Sequence, residues 1–477
     1  MKKGGGMKSG AVLRPGPATP VTVVGLAKSG LAAAKWLIQL GCFVRVTEAK
    51  ETPELSSAAQ EIIALGGSVE LGIHSRRMVE DSQILVTSPG VPPQAPPVRW
   101  ARELGIPVVG ELELASWYCP GRIIAVTGSN GKSTVVTLTS EIFKKAGFDT
   151  VVCGNIGTPF TAELNRIRHN TVVVLEVSSF QLEETLSFAP EAACVLNVTT
   201  NHIDRHGTFE RYRQAKGRIF SFQKRHCFGL LNEDDPASRS FKPLVKGTAV
   251  SFSRKKKVSG AWSDGSFLYL NLPDRSGTVC RRDAMQLQGP HHEENALAAA
   301  CLAGLFGVPP EVSGEVIRSF RGLAHRQQVI GQFKGVTFIN DSKSTTVAAG
   351  LSAIQSTPGQ VILIAGGIDK GSDFRLIRKW DKKLKSAVLI GRDGSAIARA
   401  LHGVVPSFFA ADLKEAVRTA FGMAKEGESV LLSPMCTSFD MFRDFEDRGE
   451  KFHEAVEELM KEEPAAASLL PLEGGRP

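Results

Sequence analysis

The chain has 477 residues, 42% of them hydrophobic and 22% charged, with a formal net charge of +8. At about 150 residues per domain this length implies roughly three domains, and the composition excludes a largely disordered chain. No apolar run is long enough to span a bilayer, and Gly and Pro follow Lys2, Lys3 and Lys8 where a signal peptide needs an apolar core. We therefore expect no membrane insertion and a cytoplasmic location. Residues 1–20 read as a flexible extension holding four positive charges and no acid, and Arg254–Lys257 forms a second basic cluster. Such blocks are usually solvated, so nucleic-acid binding is not expected, and anionic small substrates are one explanation for the remaining excess. The eight cysteines are scattered without a CxxC pair, which fits reduced, buried thiols rather than a disulfide scaffold.

Apolar β-branched runs alternate with helical patterns along most of the chain, the pattern of α/β domains built on parallel sheets. A first domain over residues 21–119 opens with a strand at Val21–Gly25, a helix at Ser29–Leu40 and a strand at Cys42–Val46. It closes near Cys119-Pro-Gly121, a linker by composition. A second, over 120–323, has strands at Ile123–Thr127, Thr171–Leu175 and Ala193–Val198, with a helix at Ser133–Ala146. It continues through a more irregular β-like stretch, Thr248–Val279, to helices at Glu294–Phe306 and Glu311–Phe320. The third, 324–477, has strands at Val336–Ile339, Val361–Ile364, Ala387–Ile390 and Ser429–Leu432.

The sharpest local signal is Ala125-Val-Thr-Gly-Ser-Asn-Gly-Lys-Ser-Thr134, between an apolar strand and a helix. Glycines turn backbone amides toward a phosphate, the helix N-terminus adds a favourable dipole, and Lys132 reaches the terminal phosphates. Ser133 or Thr134 supplies a hydroxyl for Mg²⁺. The usual phosphate-loop pattern has a glycine where Val126 stands, and here the first glycine falls at Gly128. Glu176 follows the next strand, at a carboxyl end where α/β sheets bind ligands and a carboxylate suits Mg²⁺. One strand further, Asn197 through His206 clusters polar groups, and His202 is a candidate metal ligand. The segment Gly25-Leu-Ala-Lys-Ser-Gly30 has Ala27 at the second glycine of a dinucleotide fingerprint, which argues against NAD.

Taken in order, Thr127–Thr134, Gly154-Asn-Ile-Gly157, Glu176-Val-Ser-Ser-Phe-Gln181, Asn197–His202, Asn295, His325-Arg326 and Asn340-Asp-Ser-Lys-Ser-Thr345 resemble the Mur ligases. These are the ATP-dependent amide-forming enzymes of peptidoglycan precursor synthesis. Val46-Thr-Glu-Ala49, Thr87-Ser-Pro-Gly-Val91, Gly366-Gly-Ile-Asp-Lys370, Leu432–Phe442 and Phe445–Phe452 are similar to the branch that adds D-glutamate to UDP-N-acetylmuramoyl-L-alanine. Other Mur ligases and folylpolyglutamate synthases share the phosphate loop, but the Ser433–Phe452 motif argues against both. A regulatory nucleotide-binding protein is disfavoured by the joint presence of Lys132, Glu176, His202 and Lys216.

The resemblance implies a Rossmann-like N-terminal domain, a central P-loop ATPase-like domain and a C-terminal Rossmann-like domain, binding UDP-sugar, ATP and amino acid respectively. Gly25, Leu26, Ala27, Glu48 and Gly90 match the family's uridine-diphosphate region, and Asn155, Ser178 and Gln181 its muramoyl-alanine contacts. Gly128, Ser129, Asn130, Gly131, Lys132, Ser133 and Thr134 would bind ATP, with Asn295, Arg326 and Asp341 around its adenine, phosphate and ribose ends. Ser133 and Glu176 would hold one Mg²⁺; His202 and a carbamate on Lys216 would hold a second. Lys132, His202 and Lys216 are thus the expected catalytic residues. Lys343, Thr345, Lys370, Ser438, Phe439 and Phe445 would form the D-glutamate pocket. A monomer is expected. Three residues depart from the family pattern: Asn201 where an acid is common, His292 in place of Asn, and Gln327 in place of an aromatic.

Overall fold

The computed structural model describes residues 14–199, 203–369 and 371–462. The chain divides into two compact units, the break falling between Phe320 and Arg321.

The first unit contains two sheets. Strands β1 (Pro20–Val24), β2 (Phe43–Glu48), β3 (Ser68–Leu71), β4 (Ile84–Thr87) and β5 (Val108–Gly110) form a parallel sheet in the order β3-β2-β1-β4-β5. The order reverses at β1, so a crevice opens between the loops that follow β1 and β4. A nine-stranded sheet follows, made of β6 (Arg122–Thr127), β7 (Thr150–Gly154), β8 (Val172–Glu176), β9 (Ala192–Val195), β10 (Phe228–Asn232), β11 (Thr248–Ser253), β12 (Gly260–Ser263), β13 (Phe267–Leu272) and β14 (Arg275–Arg281). Its order is β14-β13-β12-β11-β10-β9-β6-β8-β7, parallel from β7 through β12 and antiparallel over the last two pairs, β12–β13 and β13–β14. The stretch read as irregular β structure is therefore the far edge of this same sheet.

Parallel strands covered on both faces need continuous apolar runs, and β8 (Val-Val-Val-Leu-Glu) is buried at every position. The helix Pro290–Leu305 is buried over Asn295–Gly304, as a helix apolar on all sides must be, and packs on the helix Lys132–Lys145. Two buried carboxylates of the helix Glu111–Tyr118 tie the two sheets together. Glu113 accepts from Trp117 Nε1 (2.8 Å) and Phe188 N (3.0 Å), while Glu111 accepts from Thr161 N and Oγ1 at 2.6 and 2.7 Å.

The second unit is one sheet of β15 (Gln328–Phe333), β16 (Val336–Asn340), β17 (Val361–Gly366), β18 (Leu384–Ile390), β19 (Ser407–Phe409) and β20 (Ser429–Leu432), ordered β15-β16-β20-β17-β18-β19. Only the β15–β16 pair is antiparallel. Apolar clusters line both faces, one around Ile354, Leu363 and Ile397, the other around Phe338, Val417 and Phe452. All eight cysteines are free thiols. Among the described residues, no helix is long and apolar enough to cross a membrane.

Candidate active site

In the central sheet β6 lies between β8 and β9, and the loops after these three strands converge. The chain leaves β6 through Gly128–Gly131 and enters the helix Lys132–Lys145 with Gly131 as its N-cap at φ +85°, without a side-chain cap. That end offers its amides and dipole to an anion. A β-carbon on Gly131 would lie 2.5 Å from Asn295 Oδ1, so both backbone conformation and contact require glycine. Asn197, beyond β9, braces the loop: its Oδ1 accepts from Asn130 N (2.9 Å), its Nδ2 donates to Asn130 O (3.2 Å), and its carbonyl accepts from Ser129 N (2.9 Å).

Two lysines converge on one carbonyl. Lys132 Nζ donates to Gly128 O (3.0 Å) and Ser129 O (3.2 Å), and Lys216 Nζ donates to Gly128 O (2.9 Å) and Thr127 Oγ1 (3.4 Å). The Lys216 amine also sits 4.7 Å from the centre of the Tyr212 ring. Burial first, then the charge of Lys132, pushes the Lys216 pKa well below the ordinary lysine value, with Glu176 opposing. This favours the neutral amine. Tyr212 precedes Lys216 by about one helical turn and shares a hydrogen bond with Ser129 Oγ (3.1 Å), so its position was open to a sequence argument from spacing alone.

Glu176 ends β8 as a buried carboxylate whose Oε2 accepts from Ser133 Oγ (2.6 Å) and Oε1 from Asn155 Nδ2 (2.7 Å). Gly154, at φ +104°, lets β7 close onto this point: a β-carbon there would meet the Glu176 carbonyl at 2.5 Å. Ser178 and Gln181 form a reciprocal capping box on the short helix Ser179–Glu183, so the Gln181 side-chain oxygen Oε1 is engaged, accepting from Ser178 N at 2.9 Å. Buried His206 joins Ser179 Oγ through Nε2 (3.0 Å); its Nδ1 lies 3.0 Å from Glu183 but out of line for a hydrogen bond. His202 and Asn201 lie outside the described residues. Among the described residues there is no group of three His, Cys, Asp or Glu able to hold a metal. His292, the departure from Asn, has its pKa depressed to about 4, by burial and then by His291.

In the N-terminal sheet, Gly25 follows β1 at φ +92°, and Ser88 Oγ donates to its carbonyl (3.3 Å). Glu48, at the end of β2, accepts from Leu26 N and Lys50 N, both at 3.0 Å. Ala27 begins the helix Lys28–Gln39 without a side-chain cap, and a β-carbon on Gly90 would meet nothing within 4 Å. Gly25, Leu26, Ala27 and Glu48 thus lie together at the ends of β1 and β2, and Gly90 follows β4, the neighbour of β1 on its other side.

In the second unit the loops after β16 and β20 carry the expected amino-acid residues. Lys343 lies 5.3 Å from the centre of the Phe445 ring, Ser438 is buried, Thr345 is half-buried, and Phe439 is 68% exposed. Lys370 is outside the described residues. Asp341 is buried, accepting from Ser433 Oγ (2.8 Å) and Gln327 N (3.1 Å), and burial pushes its pKa up to about 6. Arg326, exposed, precedes Gln327. His325, Gln327 and Met435 adopt positive φ values of +60°, +46° and +59°. Such strain costs on the order of 1–3 kcal/mol per residue and gathers at functional sites.

A phosphate loop at the switch point of a parallel sheet, with a carboxylate and a second lysine beside it, defines a nucleotide-using α/β protein. Three family models match: the "Mur ligase MurD-like, N-terminal domain" over residues 19–110, the "Mur ligase middle domain" over 126–303, and the "Mur ligase, glutamate ligase domain" over 325–436. The UDP-N-acetylmuramoylalanine–D-glutamate ligase of Pelotomaculum thermopropionicum is 42% identical over 445 residues, 92% of this chain and 98% of that one. Its counterpart from Koribacter versatilis is 39% identical, covering 93% and 98%. Among solved structures, the UDP-N-acetylmuramate-alanine ligase of Thermotoga maritima matches with a TM-score of 0.55 at 17% identity, over 93% of this chain and 99% of that chain. A pseudomurein peptide ligase from Methanothermus fervidus matches with a TM-score of 0.54 at 16% identity, covering 92% and 99%. The chain belongs to the Mur ligase family.

Proposed function

We propose that this chain is an ATP-dependent ligase joining D-glutamate to UDP-N-acetylmuramoyl-L-alanine, a reaction of cytoplasmic peptidoglycan precursor synthesis. The observation that carries the reading is the joining of Lys132, Ser133, Glu176 and Lys216 at one loop, in a chain that aligns almost throughout with ligases of that name.

In this reading the lactoyl-L-alanine carboxylate attacks the γ-phosphorus of ATP, forming an acyl phosphate and releasing ADP. The amine of D-glutamate then adds to the acyl carbon, and the tetrahedral intermediate collapses to the amide, a proton and phosphate. The protein contributes mainly position and charge. The loop amides and the first turn of Lys132–Lys145 take the phosphates, and Lys132 swings from its own loop carbonyls onto them. Ser133 and Glu176 present the hydroxyl and carboxylate oxygens that Mg²⁺ prefers alongside phosphate and water, so the donor set fits that ion. Mg²⁺ held there would neutralise charge that builds on the transferred phosphoryl group. A neutral Lys216 amine is the form that adds to CO₂, losing a proton to give an anionic carbamate, and that group with His202 would hold a second Mg²⁺. The crevice around Gly25–Ala27, Glu48 and Gly90 would receive the UDP end, with Asn155, Ser178 and Gln181 toward the muramoyl-alanine. Asn295, Arg326 and Asp341 would contact ATP, and Lys343, Thr345, Lys370, Ser438, Phe439 and Phe445 would hold D-glutamate.

The test is phosphate release with ATP, Mg²⁺ and the UDP-sugar, comparing D-glutamate, L-glutamate, meso-diaminopimelate and L-lysine. Release with D-glutamate alone is expected. Release with another amino acid would overturn the pocket assignment, and release with none would remove the ligase reading.

A further inference from the structure

Among the described residues Arg448 is the largest side chain fully shut off from solvent. A buried cation is costly without a counter-ion, and arginine is kept in such places where its rigid fork or its charge is used. Among the described residues Arg448 has no ion-pair partner. Its hydrogen bonds go to neutral oxygens instead: Nε to Ser342 Oγ (3.0 Å), one terminal nitrogen to Ser342 O (2.9 Å) and the other to Cys436 O (3.2 Å). The Ser342 hydroxyl in turn donates to Phe445 O (2.8 Å).

These bonds join three segments that are distant in sequence: the loop after β16, the loop after β20, and the start of the helix Phe445–Glu462. Lys343 follows Ser342, Ser438 lies just beyond Cys436, and Phe445 opens the helix, so each segment carries at least one residue of the proposed amino-acid pocket. The neighbouring Gly449 completes the junction. A β-carbon there would lie 2.1 Å from His325 Nδ1, and its carbonyl accepts from Asn340 Nδ2 (2.9 Å). Burial moves the Arg448 pKa down to about 10, which leaves it cationic at neutral pH.

We infer that Arg448 is the positioning residue of the amino-acid site. Its fork sets the Lys343 and Ser438 loops relative to each other, and its fixed charge beneath them favours an amino acid bearing a second carboxylate. This rests on the ligase reading above.

The experiment is steady-state kinetics of the full chain with Arg448→Met and Arg448→Lys, measuring KM for amino acid, ATP and UDP-sugar separately. Arg448→Met should raise the amino-acid KM by about tenfold or more while the other two move less than about twofold. Arg448→Lys keeps the charge but lacks the fork, so its amino-acid KM should also rise, by less. If Arg448→Met does not fold, Arg448→Lys carries the test alone. An unchanged amino-acid KM, or three KM values rising together with a lower melting temperature, would reduce Arg448 to a structural support. Should the wild-type chain use an amino acid other than D-glutamate, the same comparison is made with that substrate. The positioning role and the choice of substrate therefore fail separately.

Discussion

Asp341 sets stability against function in a way that can be measured. It directly follows β16, is 2% exposed, and its two oxygens accept from Ser433 Oγ and Gln327 N. Burial lifts its pKa from the ordinary 3.8 to about 6. At roughly 1.4 kcal/mol per pH decade, a rise of that size favours the protonated fold by about 3 kcal/mol. Because the folded value is the higher one, this contribution is fully present below 3.8 and is lost as pH climbs through about 6. At neutral pH the second unit therefore holds an ionised carboxylate at a cost. Asp341→Asn removes the charge and keeps an acceptor for Ser433, but turns an amide NH₂ toward Gln327 N–H and forfeits about 1 kcal/mol. The variant should thus stabilise this unit by about 2 kcal/mol at pH 7.5 and by about zero at pH 4.5. Hydrogen exchange read by mass spectrometry on β16 and β20 peptides isolates the unit from the rest of the chain. Exchange through global opening should slow about 30-fold relative to wild type at pH 7.5 and be nearly equal at pH 4.5. Exchange as fast as wild type at pH 7.5, or the same gain at both pH values, would refute the reasoning. ATP affinity should fall in the same variant, since the carboxylate is proposed to face the ribose.

Gly131→Ala places a β-carbon against Asn295 Oδ1 in a left-handed residue, costing about 1–2 kcal/mol from conformation alone, and should raise the KM for ATP; an unchanged KM in an ATP titration would detach this loop from the nucleotide. Lys216→Ala should lose turnover and regain part of it with an added short-chain carboxylate, and full activity without that additive would end the carbamate role. Glu113→Ala leaves Phe188 N buried without its acceptor, while Trp117 Nε1 keeps Ser187 Oγ at 2.9 Å, so urea unfolding should show a loss of about 1–3 kcal/mol; no measurable loss would mean that this carboxylate does not tie the sheets.

The phosphate loop and Glu176 were legible in the sequence because strand-end chemistry is written in contiguous residues. An apolar run followed by Thr-Gly-Ser-Asn-Gly-Lys-Ser constrains both a turn and a charge. Pairwise geometry was less legible. That Lys132 and Lys216 share the Gly128 carbonyl depends on a helix far along the chain folding back over the loop. That Asn197 braces Asn130 depends on β9 lying beside β6. Arg448 sat in a recognised motif, but an arginine gives no sign in sequence of being fully buried. Strands β3, β4 and β5 have no counterpart among the expected elements; β7 and β10 each carry a glycine in their apolar run, Gly154 and Gly229, which breaks the strand signal, and β15 is masked by Gln328 and Gln332 and by an exposed Val329 on an antiparallel edge. Thr248–Val279 lacked the α/β rhythm because its four strands, one parallel pair and then two antiparallel pairs, follow one another without an intervening helix.

The central claim, carboxylate activation followed by amide formation, is tested most directly with UDP-N-acetylmuramoyl-L-alanine labelled with ¹⁸O in its carboxylate. Incubated with ATP, Mg²⁺ and D-glutamate, the chain should yield a product heavier by one glutamyl residue, and one labelled oxygen should appear in the released phosphate. Phosphate released without the amide product, or product formed with no label in the phosphate, would contradict the account.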